Sequence, residues 1–394
     1  MRKIFKALSL ALCLLVMLSA ASVCFAGSYD SEFTDAIFGE LTVLDGQSPA
    51  TSEMRGFTAS PDGKYLYGGI LQGSDEKGLY KFDAANGAIL GHYIDADMSY
   101  YKGIGADDRG YVYLGVSVPS NQDAVQFTIL DANLAPVYNE TIAISGKVGV
   151  NGCTVENVNG TYLMYLVTNY GPNYVYCYDV TDPTAPKLNT AFGDNGIVTL
   201  ATLTGVASAE AAYLDVSTSG EIYMTINLGS GSKGDTVMKV SADGKTVEMK
   251  TDVEEAYGIW ANDQYILVST YQGADSKIVV LNKSDLSKVC EIGNMGDNSN
   301  YSGVALVNNK IYVSDQGYNG GDRLIVSSAL NIPQLVVEDT TAADTSATDE
   351  APAAETAPTT TTTAAQTSDI AVIAVVSMLC AACAFAVVKK YAVR

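Results

Sequence analysis

Histidine and tryptophan are nearly absent from the sequence, which contains one of each, His92 and Trp260. A single histidine excludes histidine-based metal centres and most pairs of a nucleophile with a histidine base. A catalytic base also needs an oriented partner and a cleft, so we expect His92 to be a structural or surface residue.

Cysteine is sparse as well. Between the two apolar ends there are three, an odd number that does not indicate a disulfide scaffold, and we expect them to be small core residues: Cys153, Cys177 and Cys290.

Basic residues are also scarce, with 23 Lys and Arg against 44 Asp and Glu. Three basic residues lie in each apolar terminus, so residues 27–369 contain 17 basic and all 44 acidic residues and carry a net charge of −27. A field of this sign repels nucleic acid and anionic lipid. We therefore expect no nucleic-acid partner, and we interpret the charge as a source of solubility rather than as a dedicated cation site.

The first 26 residues have the pattern of a secretory signal peptide. Arg2, Lys3 and Lys6 precede an apolar run over 7–18, and small residues lie before Gly27 at the expected cleavage site. The alternative is an uncleaved membrane helix, but the run is short for a span of about 20 residues. The sequence therefore predicts export of the mature chain.

The other end predicts a membrane anchor. Residues 370–388 form an uncharged apolar stretch, and a basic tail, 389–394, follows at once. A stretch of this length crosses a bilayer, and positive charge after it places the tail in the cytoplasm. Residues 334–369 are rich in Thr, Ala, Pro and acidic residues, which is typical of a disordered stalk. We expect a single-pass protein with an extracellular domain over 27–333.

Gln366, Thr367, Ser368 and Asp369 precede the apolar span. A short motif, an apolar span and a basic tail together resemble the cell-wall sorting signal of monoderm bacterial surface proteins. Only Thr367 matches the Leu-Pro-x-Thr-Gly form, whereas all four residues match a related Gln-Thr-Ser-Asp form. The resemblance implies attachment to the cell wall after cleavage. Without cleavage the tail is a membrane anchor.

The body of the chain repeats a unit of a small-residue strand, a polar turn and an alternating strand. These units start at 56, 102, 150, 211, 256 and 302, which are 46, 48, 61, 45 and 46 residues apart. Propeller blades have four strands and a period of about 40–50 residues. The sequence predicts an all-β propeller of six blades, although the 61-residue interval leaves seven open. The last unit lacks room for a fourth strand, so we expect residues 37–44 to close the ring by completing that blade.

Two units carry a family resemblance. Residues 166–169 (Leu-Val-Thr-Asn) followed by 174–179 resemble the YVTN repeat of bacterial and archaeal surface propellers, and 311–315 followed by 322–326 are similar to the NHL repeat. The resemblance implies a propeller fold, often with seven blades, and indicates little about activity.

Three loops between second and third strands are rich in tyrosine and amide residues, and they fall on one rim of the predicted ring. Tyrosine suits recognition surfaces because it combines apolar area with a polar tip. We predict this rim to be a binding face, with these contact residues: Tyr170, Tyr174, Tyr271, Gln316 and Tyr318.

Calcium is the only cofactor that the sequence indicates. The acidic turns at 95–97, 106–108 and 296–298 offer the oxygen ligands that Ca²⁺ prefers, although ordinary turn chemistry also explains them.

The residues favour a binding or adhesion module for a glycan, a peptide or a surface protein, and we expect it to be a monomer. One alternative is an extracellular hydrolase or lactonase-like enzyme that uses carboxylates in the central channel. A further alternative is a structural envelope protein. Carboxylates clustered along the channel would favour the enzyme, and a tyrosine-rich rim over a plugged channel would favour binding.

Overall fold

The structure, a computed structural model, describes the following parts of the chain: 28–29, 42–43, 54–71, 77–95, 97–118, 123–146, 148–171, 173–229, 234–292, 300–316 and 322–327. The regular secondary structure of these residues is almost entirely β-strand. Two short strands come first, β1 (Ser28–Tyr29) and β2 (Thr42–Val43). The predicted signal peptide, the predicted stalk, the predicted membrane span and Gln366–Asp369 lie outside the described residues.

The next strands form three antiparallel sheets, each from consecutive strands, and we name these sheets blades 1, 2 and 3. Blade 1 comprises β3 (Met54–Ala59), β4 (Tyr65–Ile70), β5 (Gly78–Asp83) and β6 (Ile89–Tyr93). Blade 2 comprises β7 (Ser99–Ala106), β8 (Val112–Ser117), β9 (Ala124–Leu130) and β10 (Pro136–Ala143). Blade 3 comprises β11 (Gly149–Val158), β12 (Thr161–Asn169), β13 (Tyr174–Asp179), β14 (Lys187–Leu188) and β15 (Ile197–Thr199).

Blades 4 and 5 share one long strand. Blade 4 comprises β16 (Glu210–Val216), β17 (Ile222–Asn227), β18 (Gly234–Val240) and the first half of β19 (Val247–Ala261). The second half of β19 begins blade 5, which continues with β20 (Tyr265–Thr270), β21 (Ile278–Asn282) and β22 (Lys288–Ile292). Because β19 pairs with β18 and then with β20, the two blades form one eight-stranded sheet, to whose outer edge β1 adds in parallel.

Blade 6 is completed by the N-terminal part of the chain. It comprises β23 (Tyr301–Val307), β24 (Lys310–Asp315) and β25 (Arg323–Val326), and β2 pairs with β25 as its outermost strand. Thr42 and Val43 lie opposite Val326 and Ile325. The predicted closing strand is therefore present at Thr42–Val43, while the rest of 37–44 lies outside the described residues.

The inner strands contact one another in a closed cycle: β3 with β7, then β11, β16, β19 and β23, which returns to β3. Six hydrophobic clusters fill the spaces between neighbouring blades. One of them joins blade 6 to blade 1, where Leu324 and Tyr312 pack with Met54 and Phe82. The prediction of an all-β propeller is confirmed, and its core is this ring of interfaces, since a single blade cannot bury its own faces.

An insertion explains the long interval between the third and fourth units. After β14, the chain forms β15 and a short helix, α1 (Leu200–Thr204), which ends at Gly205 with a positive φ of 73°. Both β14 and β15 pair with β13, so the extra residues lengthen the outer edge of blade 3 instead of forming another blade.

Several smaller expectations are also settled within the described residues. Cys153, Cys177 and Cys290 are free and buried, and burial raises the pKa of Cys177 to about 11. His92 lies on the outer strand of blade 1. The helices in the described part of the chain are all too short or too polar to cross a membrane.

Candidate functional site

Each inner strand begins with a β-bulge at the same end of the ring. The register shifts near the start of all six inner strands and displaces at least one residue from the ladder. A bulge re-aims the displaced side chain, which is one reason why bulges occur beside functional sites. The displaced residues include Arg55, Lys102, Asn151, Ala212, Tyr257 and Ser302. Second strands also end here, because neighbouring strands are antiparallel. We call this end of the ring the axial rim.

Glycine follows the bulge in five of the six inner strands, and at four of these positions the strands meet too closely for a side chain. A Cβ on Gly56 would lie 2.6 Å from the carbonyl oxygen of Lys102, and one on Gly258 would lie 2.7 Å from the Cα of Gly303. The five positions are Gly56, Gly103, Gly152, Gly258 and Gly303.

Blade 4 has Tyr213 at this position, and its side chain closes the axis. The Tyr213 hydroxyl donates a hydrogen bond to the backbone carbonyl of Arg55, which belongs to blade 1 on the opposite side of the ring. Burial raises the pKa of Tyr213 well above its ordinary value, so the phenol remains a donor. The described residues therefore show a plugged axis at the rim.

An aromatic series extends from Tyr213 towards the edge of the rim. The ring centre of Tyr213 lies 5.2 Å from that of Tyr257. The ring centre of Tyr257 in turn lies 5.1 Å from that of Tyr271. The Tyr271 hydroxyl donates to Gln316 Oε1 at 2.6 Å, and the Arg55 guanidinium lies 5.9 Å from the Tyr271 ring centre. Tyr271 and Gln316, both predicted as site residues, are thus in direct contact, and the structure adds Arg55 and Tyr257.

A polar network occupies the other half of the axial rim. Lys102 Nζ donates to Asn151 Oδ1 at 3.1 Å, and Asn169 Nδ2 donates to the same oxygen at 2.7 Å. Asn151 Nδ2 in turn donates to the carbonyl of Ala211 at 2.8 Å and approaches Glu210 Oε1 at 3.5 Å. Burial raises the pKa of Glu210, and the nearby amides and the Lys102 charge oppose that effect. This half therefore combines amides with one charge of each sign.

Tyr170 is the most exposed of the described aromatic residues of the rim. Its side chain is 62% exposed, and its ring centre lies 6.0 Å from Lys102 Nζ. The backbone of Tyr170 has a φ of 67°, and the rim residues Tyr100 and Glu255 have φ values of 58° and 55°. Non-glycine residues rarely adopt this region unless the surroundings impose it, and such strain concentrates at binding and switch sites.

The remaining predicted site residues are placed differently. Tyr174 starts β13, where its ring packs edge-on against Tyr176 at 5.9 Å beside the interface of blades 2 and 3. It therefore contributes to packing rather than to the group around the axis. Tyr318 lies outside the described residues.

Two carboxylates occur at the other end of the inner strands. Asp215 accepts hydrogen bonds from Thr154 Oγ1 at 2.8 Å and from the Ala261 backbone N–H at 2.7 Å, and so joins blades 3, 4 and 5. Burial raises its pKa to about 6, and burial and the charge of Asp215 raise the pKa of Glu156 to about 7. Because Asp215 is committed to these two donors inside the protein, its position indicates a structural role.

The described acidic turns show ordinary turn chemistry. Asp107 accepts hydrogen bonds from the backbone N–H groups of Arg109 and Tyr111 and from the Tyr113 hydroxyl, and Asp95 accepts one from the Asp97 N–H. Within the described ranges, no group of three or more His, Cys, Asp or Glu side chains could hold a metal ion. The turn at 296–298 lies outside these ranges, so calcium binding remains a prediction.

Comparisons with known proteins identify no family. No family model matches the sequence, and no curated protein matches it. A protein of unknown function from Bacteroides caccae is 11% identical, with a TM-score of 0.47 over 64% of this chain and 83% of that one. The β-propeller domain of Myceliophteria thermophila Cps50 (Swd1) is 10% identical, with a TM-score of 0.49, and the match covers 73% of this chain and 100% of that domain. The WD40 repeats of RRP9 are 14% identical, with a TM-score of 0.46, and the match covers 70% of this chain and 79% of that one. The YVTN and NHL resemblance stays a prediction.

Proposed function

We propose that this chain is a cell-surface binding module whose axial rim is the ligand-binding face. The observation that carries the proposal is the plugged axis: Tyr213 crosses to blade 1, while the bulges turn Arg55, Lys102, Asn151 and Tyr257 onto the rim. Aromatic and amide groups on a rigid ring provide contact area at low conformational cost. The strained backbone of Tyr170 and Glu255 supports the same face.

The proposed location rests on the termini. The signal peptide over 1–26 and the apolar span over 370–388 favour a single-pass surface protein, and the stalk over 334–369 would hold the propeller away from the membrane. Cleavage near Gln366–Asp369 would transfer the chain to the cell wall. The similarity of residues 166–179 to the YVTN repeat of bacterial and archaeal surface propellers is in keeping with this setting.

The enzyme alternative receives less support from the described residues. A hydrolase in the central channel needs carboxylates that reach a substrate. Tyr213 closes the axis at the rim, and Asp215 at the opposite end is hydrogen-bonded within the protein. No contact in the described part of the chain therefore favours catalysis over binding.

The binding proposal is testable with a fragment covering 27–338. This fragment contains all described strands, and the compact part of the chain that includes them ends at Glu338. It would be applied to panels of immobilised glycans, peptides and bacterial surface proteins, together with its Tyr271→Ala and Arg55→Ala variants. Because buried aromatic and arginine contacts dominate most interfaces, we expect each variant to lose roughly tenfold or more in affinity.

A matched control is Tyr138→Ala, which removes a half-buried tyrosine from the outer strand of blade 2. It should bind as tightly as the wild type, and thermal melts should show that all variants are folded. Equal binding by the wild type and both rim variants would exclude the axial rim as the binding face. Binding to no panel member would favour the structural envelope alternative.

A further inference from the structure

A buried amide oxygen lies next to the exposed ring of Tyr170. Asn169 is only 2% exposed, and its Nδ2 group donates to Asn151 Oδ1. Its Oδ1 atom has no hydrogen-bond partner in the described part of the chain. Buried amide oxygens of native proteins are almost always satisfied, so each exception calls for an explanation. This atom therefore points to a donor group from outside the chain.

The surroundings of this oxygen are built around Gly149, at the start of β11. A Cβ at Gly149 would lie 2.7 Å from Asn169 Oδ1, 3.1 Å from Ser117 Oγ and 3.2 Å from Tyr170 Cδ2. Ser117 Oγ already accepts a hydrogen bond from the Val150 N–H at 3.2 Å, so its proton can serve another acceptor. One hydrogen-bond acceptor, one donor and one aromatic ring thus converge over a residue without a side chain.

These three groups match the chemistry of a sugar hydroxyl. A hydroxyl group both donates and accepts, so it can donate to Asn169 Oδ1 and accept from Ser117 Oγ. The Tyr170 ring supplies an apolar surface for the C–H groups beside that hydroxyl. Lys102 and Glu210 carry opposite charges in the adjoining network, which favours a neutral ligand over an ionic one.

The backbone of Tyr170 supports a binding role for its ring. Its φ of 67° lies in the left-handed region, where glycine or asparagine would be more relaxed. Although the side chain is 62% exposed and buries little area, the position keeps a bulky aromatic residue. A contact between the ring and a ligand accounts for this choice.

We propose that Asn169, Ser117 and Tyr170 form a subsite between blades 2 and 3 for one neutral hexose or N-acetylhexosamine of a surface glycan. The subsite rests on the proposed function of the axial rim and makes it specific. The position directly over Gly149 is too crowded for a Cβ, so the ligand hydroxyl reaches Asn169 Oδ1 and Ser117 Oγ from the side of the Tyr170 ring. Its entry displaces that ring, because Asn169 Oδ1 is covered in the free protein.

Two substitutions test the subsite without removing its buried polar groups. Gly149→Ala places a methyl group against Asn169 Oδ1, and Tyr170→Gly removes the ring at a backbone conformation that glycine prefers. The 27–338 fragment and its variants would be titrated with the methyl glycosides of glucose, galactose, mannose and N-acetylglucosamine by saturation-transfer NMR. We expect at least one sugar to bind, with a tenfold or greater loss in both variants. Tyr170→Gly should melt at or above the wild-type temperature.

The matched control is Gly91→Ala, on the outer strand of blade 1. Its Cβ would lie at an ordinary distance of 3.7 Å from the Leu134 side chain. It should bind sugar as the wild type does. Wild-type binding by Gly149→Ala and Tyr170→Gly would overturn the subsite, as would a sugar-soaked crystal with only a water molecule at Asn169. If no sugar binds but a protein of the panel binds through Tyr271 and Arg55, the subsite fails and the rim function stands. If no ligand binds at the rim, both fail.

Discussion

The free energy of unfolding is expected to decrease as the pH rises from 5 to 8. Asp215 and Glu156 cause this dependence, because in the folded chain their pKa values are about 6 and about 7, above the ordinary carboxyl range. A carboxyl group with a raised pKa holds its proton more tightly when folded. Its contribution to stability is therefore full below the unfolded pKa of about 4 and is lost as the pH passes the folded value.

The expected size is several kcal/mol. A shift of about two pKa units corresponds to about 3 kcal/mol for each group. The pair contributes less than twice that amount, because protonation of one carboxyl eases ionisation of the other.

On the acid side, Glu221 has the opposite behaviour, since hydrogen bonds from Lys239 and Lys283 outweigh partial burial and lower its pKa to about 2. Its stabilising contribution is lost as the pH falls below about 4, so maximal stability is expected near pH 5.

Urea unfolding at pH 5, 6, 7 and 8 measures this effect, with Glu156→Gln as the informative variant. The variant should match the wild type at pH 5 and exceed it at pH 8 by up to about 3 kcal/mol. Asp252→Asn serves as a control, because Asp252 is exposed on the outer strand of blade 4, opposite Thr236, and its loss should leave the pH slope nearly unchanged. An equally steep slope in Glu156→Gln and the wild type would show that Glu156 does not titrate in this way.

Gly69→Ala is expected to be the most destabilising small substitution in the ring. A Cβ at Gly69, in β4, would lie 1.8 Å from the backbone carbonyl oxygen of Tyr101 in blade 2. A side chain could rotate away from such a contact, but a backbone carbonyl in an inner strand cannot move without disturbing the blade interface. We expect a loss of about 3 kcal/mol or more in unfolding free energy.

Gly91→Ala provides the matched comparison within the same blade. Its Cβ would make an ordinary contact with Leu134, and alanine restricts the unfolded chain, so its stability should equal or slightly exceed that of the wild type. Urea midpoints of both variants at one pH give the difference directly. Equal midpoints for Gly69→Ala and Gly91→Ala would contradict the close approach of blades 1 and 2.

The repeat period allowed the ring to be predicted because each blade spans a nearly constant length of chain. Spacing gave the six units, and the missing last strand indicated that the N-terminal segment would complete blade 6, as Thr42 and Val43 do. The insertion with α1 could not be separated from a degenerate blade by length alone. Pairing of both β14 and β15 with β13 is a tertiary property.

The site was predicted only in part, for a different physical reason. Loop composition identified Tyr271 and Gln316, which are in contact, but it also selected Tyr174, which packs on a blade face. Arg55 and Lys102 were missed because the bulged positions share no residue type. A usable signal was the glycine that follows the bulge in five inner strands. The proximity of Asp215 and Glu156 could not be predicted, since the two residues lie in different blades.

Hydrogen–deuterium exchange tests the role of the axial rim most directly. The 27–338 fragment would be compared with and without the tightest ligand from the glycan and protein panels. We predict slower exchange in peptides that contain Arg55, Lys102, Asn151, Tyr170 and Tyr271, with the outer strands unchanged. Protection confined to the outer strands, or to the end of the ring that carries Asp215, would contradict binding at the rim.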